Sequence, residues 1–115
     1  MPFVNVQVSG VVAEDTKKTL LAALSRIMSD TLGKPEQYVM AELETGAIIM
    51  SGKEGPAAFV DVRSIGKLNS KTNSPLAQKL SDALSASLGI PANRIFLNFT
   101  DVPAADWAWN KETFG

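Results

Sequence analysis

Pro2 is the residue of this chain with the clearest chemical potential. Initiator methionine is usually removed when a proline follows, and the product here would be a free secondary amine on a rigid ring, a candidate base or nucleophile. The rest of the inventory narrows attention to amines and carboxylates. There is no cysteine, which excludes disulfides, thiol catalysis and thiolate metal sites. There is no histidine either, so carboxylates and amines are the only groups suited to proton transfer near neutral pH. Lys34 is a second amine, yet it follows a helix end, where the dipole alone favours a cation. Asn98 in a strand could simply hydrogen-bond across an interface, and Tyr38, Phe96, Trp109 and Phe114 could simply pack. The string Gly66-Lys67-Leu68-Asn69-Ser70 lacks the upstream glycine and the Ser or Thr after the lysine that a phosphate loop requires. No cluster has metal-ligand spacing.

Bulk properties set the outer bounds. At 115 residues the chain is expected to form one domain, 1–115, with a core large enough to need no staples. Eleven Lys and Arg against twelve Asp and Glu give a net charge of −1, with no basic block to track a phosphate backbone, which argues against nucleic acid. No apolar run approaches the ~20 residues that cross a bilayer. The N-terminus lacks the basic and apolar regions of a signal peptide, so a cytoplasmic location is expected and no membrane partner.

The elements that must position these residues follow from an internal repeat. An offset of 56 aligns Phe3-Val4-Asn5-Val6-Gln7 with Phe59-Val60-Asp61-Val62-Arg63, and Leu32-Gly33-Lys34-Pro35 with Leu88-Gly89-Ile90-Pro91. Twelve identities fall in 42 ungapped positions, on apolar and capping residues, so two duplicated halves are read at about 2–43 and 58–99. Each half reads as strand, helix, strand. The alternating run Met1 to Val6 opens the first half as a half-buried strand. Val12 to Leu32 carries Leu20, Leu24, Ile27, Met28 and Leu32 at helical spacing, with Glu14 and Asp15 in the opening turn and Gly33 and Pro35 as stop signals. Ser70 to Leu88 repeats the pattern, with Pro75 in or near its first turn. Tyr38 to Leu43 and Arg94 to Phe99 close the halves. The predicted fold is α/β (α+β): a four-stranded mixed sheet with two helices on one face, made from parallel β-α-β crossovers.

That arrangement leaves one sheet face bare. Phe3, Asn5, Gln7, Phe59, Asp61, Arg63, Met40, Glu42, Phe96 and Asn98 would share it, a mixture that suits neither a dry core nor a plain solvent surface. The face is therefore expected to meet other copies of itself. Thr45-Gly46 reads as a turn, Ala47 to Ser51 as a short strand and Gly52 to Pro56 as a loop. Trp107-Ala108-Trp109 puts two large aromatics after the last strand of the repeat, suited to anchoring a neighbour.

Several separated motifs together resemble the macrophage migration inhibitory factor family of the tautomerase superfamily. They are Pro2 after the initiator, Leu32-Gly33-Lys34-Pro35 with Gln37-Tyr38, Arg63-Ser64-Ile65-Gly66-Lys67, Arg94-Ile95-Phe96-Leu97-Asn98, and Trp109-Asn110 with Thr113-Phe114. The resemblance spans essentially the whole chain. It implies a homotrimer with one active site at each subunit interface, and cofactor-independent keto-enol tautomerisation of phenylpyruvate-like keto acids. Carried over by position, Pro2 would be the catalytic base, Lys34 the cation for a substrate carboxylate and Ile65 a backbone contact. Asn98 and the aromatic Phe96 would come from the adjacent subunit, with Tyr38, Trp109 and Phe114 shaping the pocket mouth. Such a base must be neutral at working pH, and burial together with the like charge of Lys34 would both lower the amine's pKa.

The repeat shows that the scaffold is duplicated but the chemistry is not: Pro2 aligns with Ala58, Lys34 with Ile90, Ile65 with Ser9 and Asn98 with Glu42. Two departures from the family pattern also count. Ala57-Ala58-Phe59-Val60 stands where vertebrate members carry Cys-x-x-Cys, so thiol oxidoreductase activity does not transfer. Phe96 replaces a pocket tyrosine, losing a hydrogen bond of roughly 0.5 to 1.5 kcal/mol, which favours arylpyruvates over bulkier dopachrome-like substrates. The alternative to an enzyme is a cytokine-like signalling protein that binds a protein receptor and keeps a weak or vestigial pocket. Export without a signal peptide occurs in the family and fits that alternative. Hydration or decarboxylation of unsaturated acids would need a further acid or polar group to activate water, and the sequence places none.

Overall fold

A computed structural model of the chain describes residues 1–115. Its two halves are built alike. β1 (Phe3–Ser9), α1 (Glu14–Leu32) and β2 (Met40–Gly46) form the first; β3 (Ala58–Ser64), α2 (Ser70–Leu88) and β4 (Ile95–Asp101) form the second. The 3-10 turns Glu36–Tyr38 and Ala92–Arg94 precede β2 and β4 at the same 56-residue offset as the helices. The duplication extends to hydrogen bonds. Gly33 and Gly89 end the helices in the left-handed region, at φ 65° and 68°, and spare a side chain the clash that conformation imposes. One turn earlier Ser29 Oγ donates to the Lys34 carbonyl at 2.5 Å, and Ser85 Oγ donates to the Ile90 carbonyl at 2.6 Å.

The helix starts differ. Ala13 precedes α1 and caps nothing, whereas the Asn69 side chain accepts from the Lys71 and Thr72 N–H groups and Thr72 Oγ1 accepts from the Asn69 N–H. That capping box starts α2 at Ser70, which leaves Pro75 in the second turn and the Lys71 carbonyl without its usual i+4 donor.

The sheet runs β2-β1-β3-β4, parallel within each half and antiparallel where β1 meets β3. Val4, Val6, Val8, Ala58, Val60 and Val62 share one face and pack with Leu20, Leu24, Met28, Leu76, Leu80 and Leu84 in a single core cluster. The intervening residues, from Phe3 to Gln7 and Phe59 to Arg63, lie half-buried or exposed on the other face. This is the mixed sheet with both helices on one side that the sequence predicts. No helix is long and apolar enough to cross a membrane.

The boundaries shift in informative places. Val12 and Ala13 lie outside α1, Tyr38 belongs to a 3-10 turn and not to β2, and Thr45 and Gly46 extend β2 where a turn was expected. Ala47 to Ser51 forms no strand. Within one chain β2 is an edge with no neighbour to pair this segment, and only an isolated bridge joins Met50 to Lys53. Residues 50 to 56 are instead a strap held by Arg94, whose guanidinium donates to the carbonyls of Pro56 (2.7 Å), Lys53 (3.1 Å) and Met50 (3.4 Å). Near the carboxyl end, β5 (Ala108–Trp109) and β6 (Glu112–Thr113) make a hairpin that the sequence reading missed. Asn110 and Lys111, at φ 51° and 74°, supply the two left-handed turn positions such a hairpin requires.

Candidate active site

The antiparallel register of β1 and β3 builds the site. Phe3 pairs with Arg63, so the residues just beyond β3 return to the place where β1 begins. There Lys34, delivered by the stop of α1, donates from Nζ to the Ile65 carbonyl at 2.5 Å. The turn after β3 is pinned on its other side by the Gly66 N–H, which donates to the Asp101 carboxylate at 2.8 Å. Pro2 is fully buried, and its carbonyl accepts from the Met40 N–H at 3.1 Å. Residues 2, 34 and 65 therefore meet at one end of the sheet.

The electrostatics of that end are visible in the chain's own α-amine. In the Met1-bearing chain this amine is pushed down from 8.0 to about 6, first by burial, then by the Lys34 charge and by a hydrogen bond with Lys34. The Met1 α-amine is therefore largely neutral near pH 7.

A cavity of about 230 Å³ adjoins it, lined by Met1, Pro2, Phe3, residues 37 to 40 and residues 107 to 109. Tyr38 and Trp109 meet edge to face across it, with ring centroids 5.9 Å apart and planes at 88°. Trp107 is a wall residue whose pocket role the sequence reading passed over. Its signal was the Trp-Ala-Trp spacing, which in an extended segment puts both indoles on one side. With Phe3 and Ala108 it also borders a second cavity, of about 290 Å³, that contains Arg63.

Five of the residues expected at the site do not line this cavity: Lys34 and Ile65, which bond to each other beside it, and Phe96, Asn98 and Phe114. Phe96 and Asn98 lie on β4, where they pair with Phe59 and Asp61. Two strand spacings, roughly 10 Å, separate them from β1. Both sit on the exposed sheet face, Phe96 at 62% exposure. Phe114 stands outside the lining, although its N–H donates to the Trp107 carbonyl at 3.0 Å and ties the hairpin to the cavity wall. The largest cavity, about 560 Å³, lies at the opposite end of β1, among Val11, Ile48, Ile49, Pro56, Leu88 and Ile90. It contains one carboxylate, Glu54, and no amine. No three His, Cys, Asp or Glu side chains converge to hold a metal.

Comparison with known proteins gives a consistent result. A macrophage migration inhibitory factor homolog of Brugia malayi is 34% identical over 116 aligned residues covering 100% of both chains. The solved macrophage migration inhibitory factor homologue of Prochlorococcus marinus superposes with a TM-score of 0.93 at 38% identity, covering 98% of this chain and 99% of that one. A structure titled "Q0 fused 4-OT wild type symmetric trimer" superposes at 0.85 with 27% identity, covering 95% and 92%. The family model for macrophage migration inhibitory factor (MIF) matches residues 1–115. A duplicated β-α-β scaffold with these relatives along its whole length makes the chain a member of the macrophage migration inhibitory factor family.

Proposed function

We propose that the chain is a cofactor-independent keto-enol tautomerase of small phenylpyruvate-like keto acids, with the Pro2 amine as general base once Met1 is removed. The observation that carries this reading is the environment beside Pro2, where burial and the Lys34 charge lower the neighbouring Met1 α-amine to about 6 and would lower a Pro2 amine in the same direction. In that setting the Pro2 nitrogen takes the proton α to the substrate carbonyl while water protonates the developing enolate oxygen, and in the reverse direction the nitrogen returns a proton to the enol carbon as the oxygen releases its own. Lys34 holds the substrate carboxylate, and the Ile65 backbone that already accepts from Lys34 borders it. Tyr38 and Trp109 shape the mouth, and Phe114 supports its wall from behind through the main-chain bond to Trp107.

A donor is still needed where charge develops on the enolate oxygen. Asn98 is the candidate, with Phe96 beside it, and both are too far from Pro2 to act within their own chain. A homotrimer resolves this, because each subunit's β4 then faces a neighbour's Pro2. The trimeric relative with the same fold supports that assembly.

Incubating the purified protein with phenylpyruvate and following enol absorbance tests the reading, with intact mass confirming that Met1 is absent. Pro2→Gly is expected to lower kcat/KM by at least about 100-fold; equal rates would sink the mechanism. A second reading, a protein-binding homologue with a vestigial pocket, draws on the exposure of Trp109 and Phe96, at 57% and 62%. It requires negligible turnover by the processed chain and saturable binding to a partner protein.

A further inference from the structure

Ser64 is the only polar side chain in the buried set, at 0% exposure, and its Oγ has no hydrogen-bond partner. A buried hydroxyl in that state is costly and calls for a reason. Its position supplies one. Phe3 pairs with Arg63 and Val4 with Val62, so the next pair outward in the β1–β3 ladder is Pro2 opposite Ser64. Both residues are buried, on the same side of the sheet as Val4 and Val62.

The internal repeat provides a control. At the other end of the same ladder Val8 pairs with Ala58. These are the counterparts, at the offset of 56, of Ser64 and Pro2. Val8 is completely buried and packs in the core, so the scaffold accepts a valine at this place in the ladder. Packing therefore does not call for a hydroxyl at position 64.

In the Met1-bearing chain the Pro2 nitrogen is a tertiary amide without a hydrogen, and it can offer Ser64 nothing. Removal of Met1 converts that nitrogen to a secondary amine with an N–H. We infer that Ser64 is a positioning residue for the Pro2 amine: its Oγ accepts the N–H created by Met1 removal and aims the nitrogen lone pair into the cavity. This rests on the reading of Pro2 as the base. It goes beyond that reading in assigning the unpaired hydroxyl a partner that exists only in the processed chain. Accepting from the protonated amine also stabilises its charged form, so Ser64 raises the amine's pKa against the lowering by burial and by Lys34. The other ionisable groups at this end are the Tyr38 phenol, across the cavity, the Asp101 carboxylate that accepts from the Gly66 N–H, Asp106 in the adjoining cavity, and the Arg63–Asp61 pair on the opposite sheet face.

The test uses Ser64→Thr and Ser64→Val, isosteres that differ only in the hydroxyl. In the processed protein, titration of the ¹⁵N-labelled Pro2 nitrogen by NMR should give Ser64→Thr the wild-type pKa. Ser64→Val should give a value lower by about half a pH unit or more. Ser64→Val should also melt below Ser64→Thr in the processed chain. In a chain extended at its N-terminus, so that Pro2 stays in an amide bond, Ser64→Val should melt at the same temperature or higher. Equal pKa values for the two variants, or the same melting difference in both chain forms, would overturn the assignment. Neither readout depends on turnover. An inactive protein that shows these shifts refutes the tautomerase reading alone, and an active one without them refutes the role of Ser64 alone.

Discussion

Among single residues, the terminal amine is the most accessible to measurement. The chain has no histidine and no cysteine, so between pH 6 and 8 its α-amine is the one group with an ordinary pKa in range. In the Met1-bearing form that amine falls from 8.0 unfolded to about 6 folded. Across this window the unfolded chain holds a proton that the folded chain has released, so stability rises with pH from about 6 to 8 and levels off above. Melting temperature measured at pH 6 and at pH 8 should show the rise, and acetylation of the amine should abolish it. Residues of this kind were partly legible. Pro2, Lys34 and Ile65 stood in recognisable local motifs, and the fold brings them together. Ser64 lay within one of the same motifs without attracting notice. Its lack of a partner depends on the register between two strands more than 50 residues apart, which no local pattern encodes.

For the elements, the duplication acts as an internal comparison. α2 has a capping box and α1 has Ala13 in the equivalent place, with no side-chain bond. Ala13→Asn should therefore stabilise the protein by about 1 kcal/mol, measured by urea denaturation. Pro75 is the opposite case, a proline in the second turn facing the Lys71 carbonyl. Pro75→Ala restores an N–H there and should raise stability by about 1 to 2 kcal/mol, the gain reduced by the greater freedom of the unfolded chain. No change in the urea midpoint would mean that α2 already bends enough to absorb the proline. The helices and the four main strands were legible because their apolar spacing repeats twice. The C-terminal hairpin was not, since two-residue strands carry no periodicity. Ala47 to Ser51 failed for another reason: its residues suit a strand, but the single chain gives them no partner.

For the whole molecule, the proposed sharing of sites between copies has a quantitative signature. Pro2→Gly and Asn98→Ala should each be impaired alone. If the base and the enolate donor come from different subunits of a three-fold ring, random mixed trimers of equal proportions carry both intact groups at about a quarter of their sites. Unfolding and refolding the mixture should recover activity near that fraction of wild type, whereas sites completed within one chain would recover none of it this way beyond the two parents' average. Native mass spectrometry of the same mixture would report the trimer directly. The bare sheet face, which mixes aromatics with charged and uncharged polar groups, led from composition alone to the expectation that it meets other copies. The number of copies was not legible from the residues.

The strap from 50 to 56 has a practical consequence. Arg94 grips it through main-chain carbonyls, which leaves the exposed Lys53 side chain free, at the Ala58 end of a sheet whose Pro2 end holds the amines. In a chain without cysteine, Lys53→Cys would introduce a unique thiol for dyes, beads or electrode surfaces. A protein tethered by that handle would present its reactive rim to solution, and a fluorophore placed there would report on tumbling and subunit exchange without crowding the pocket.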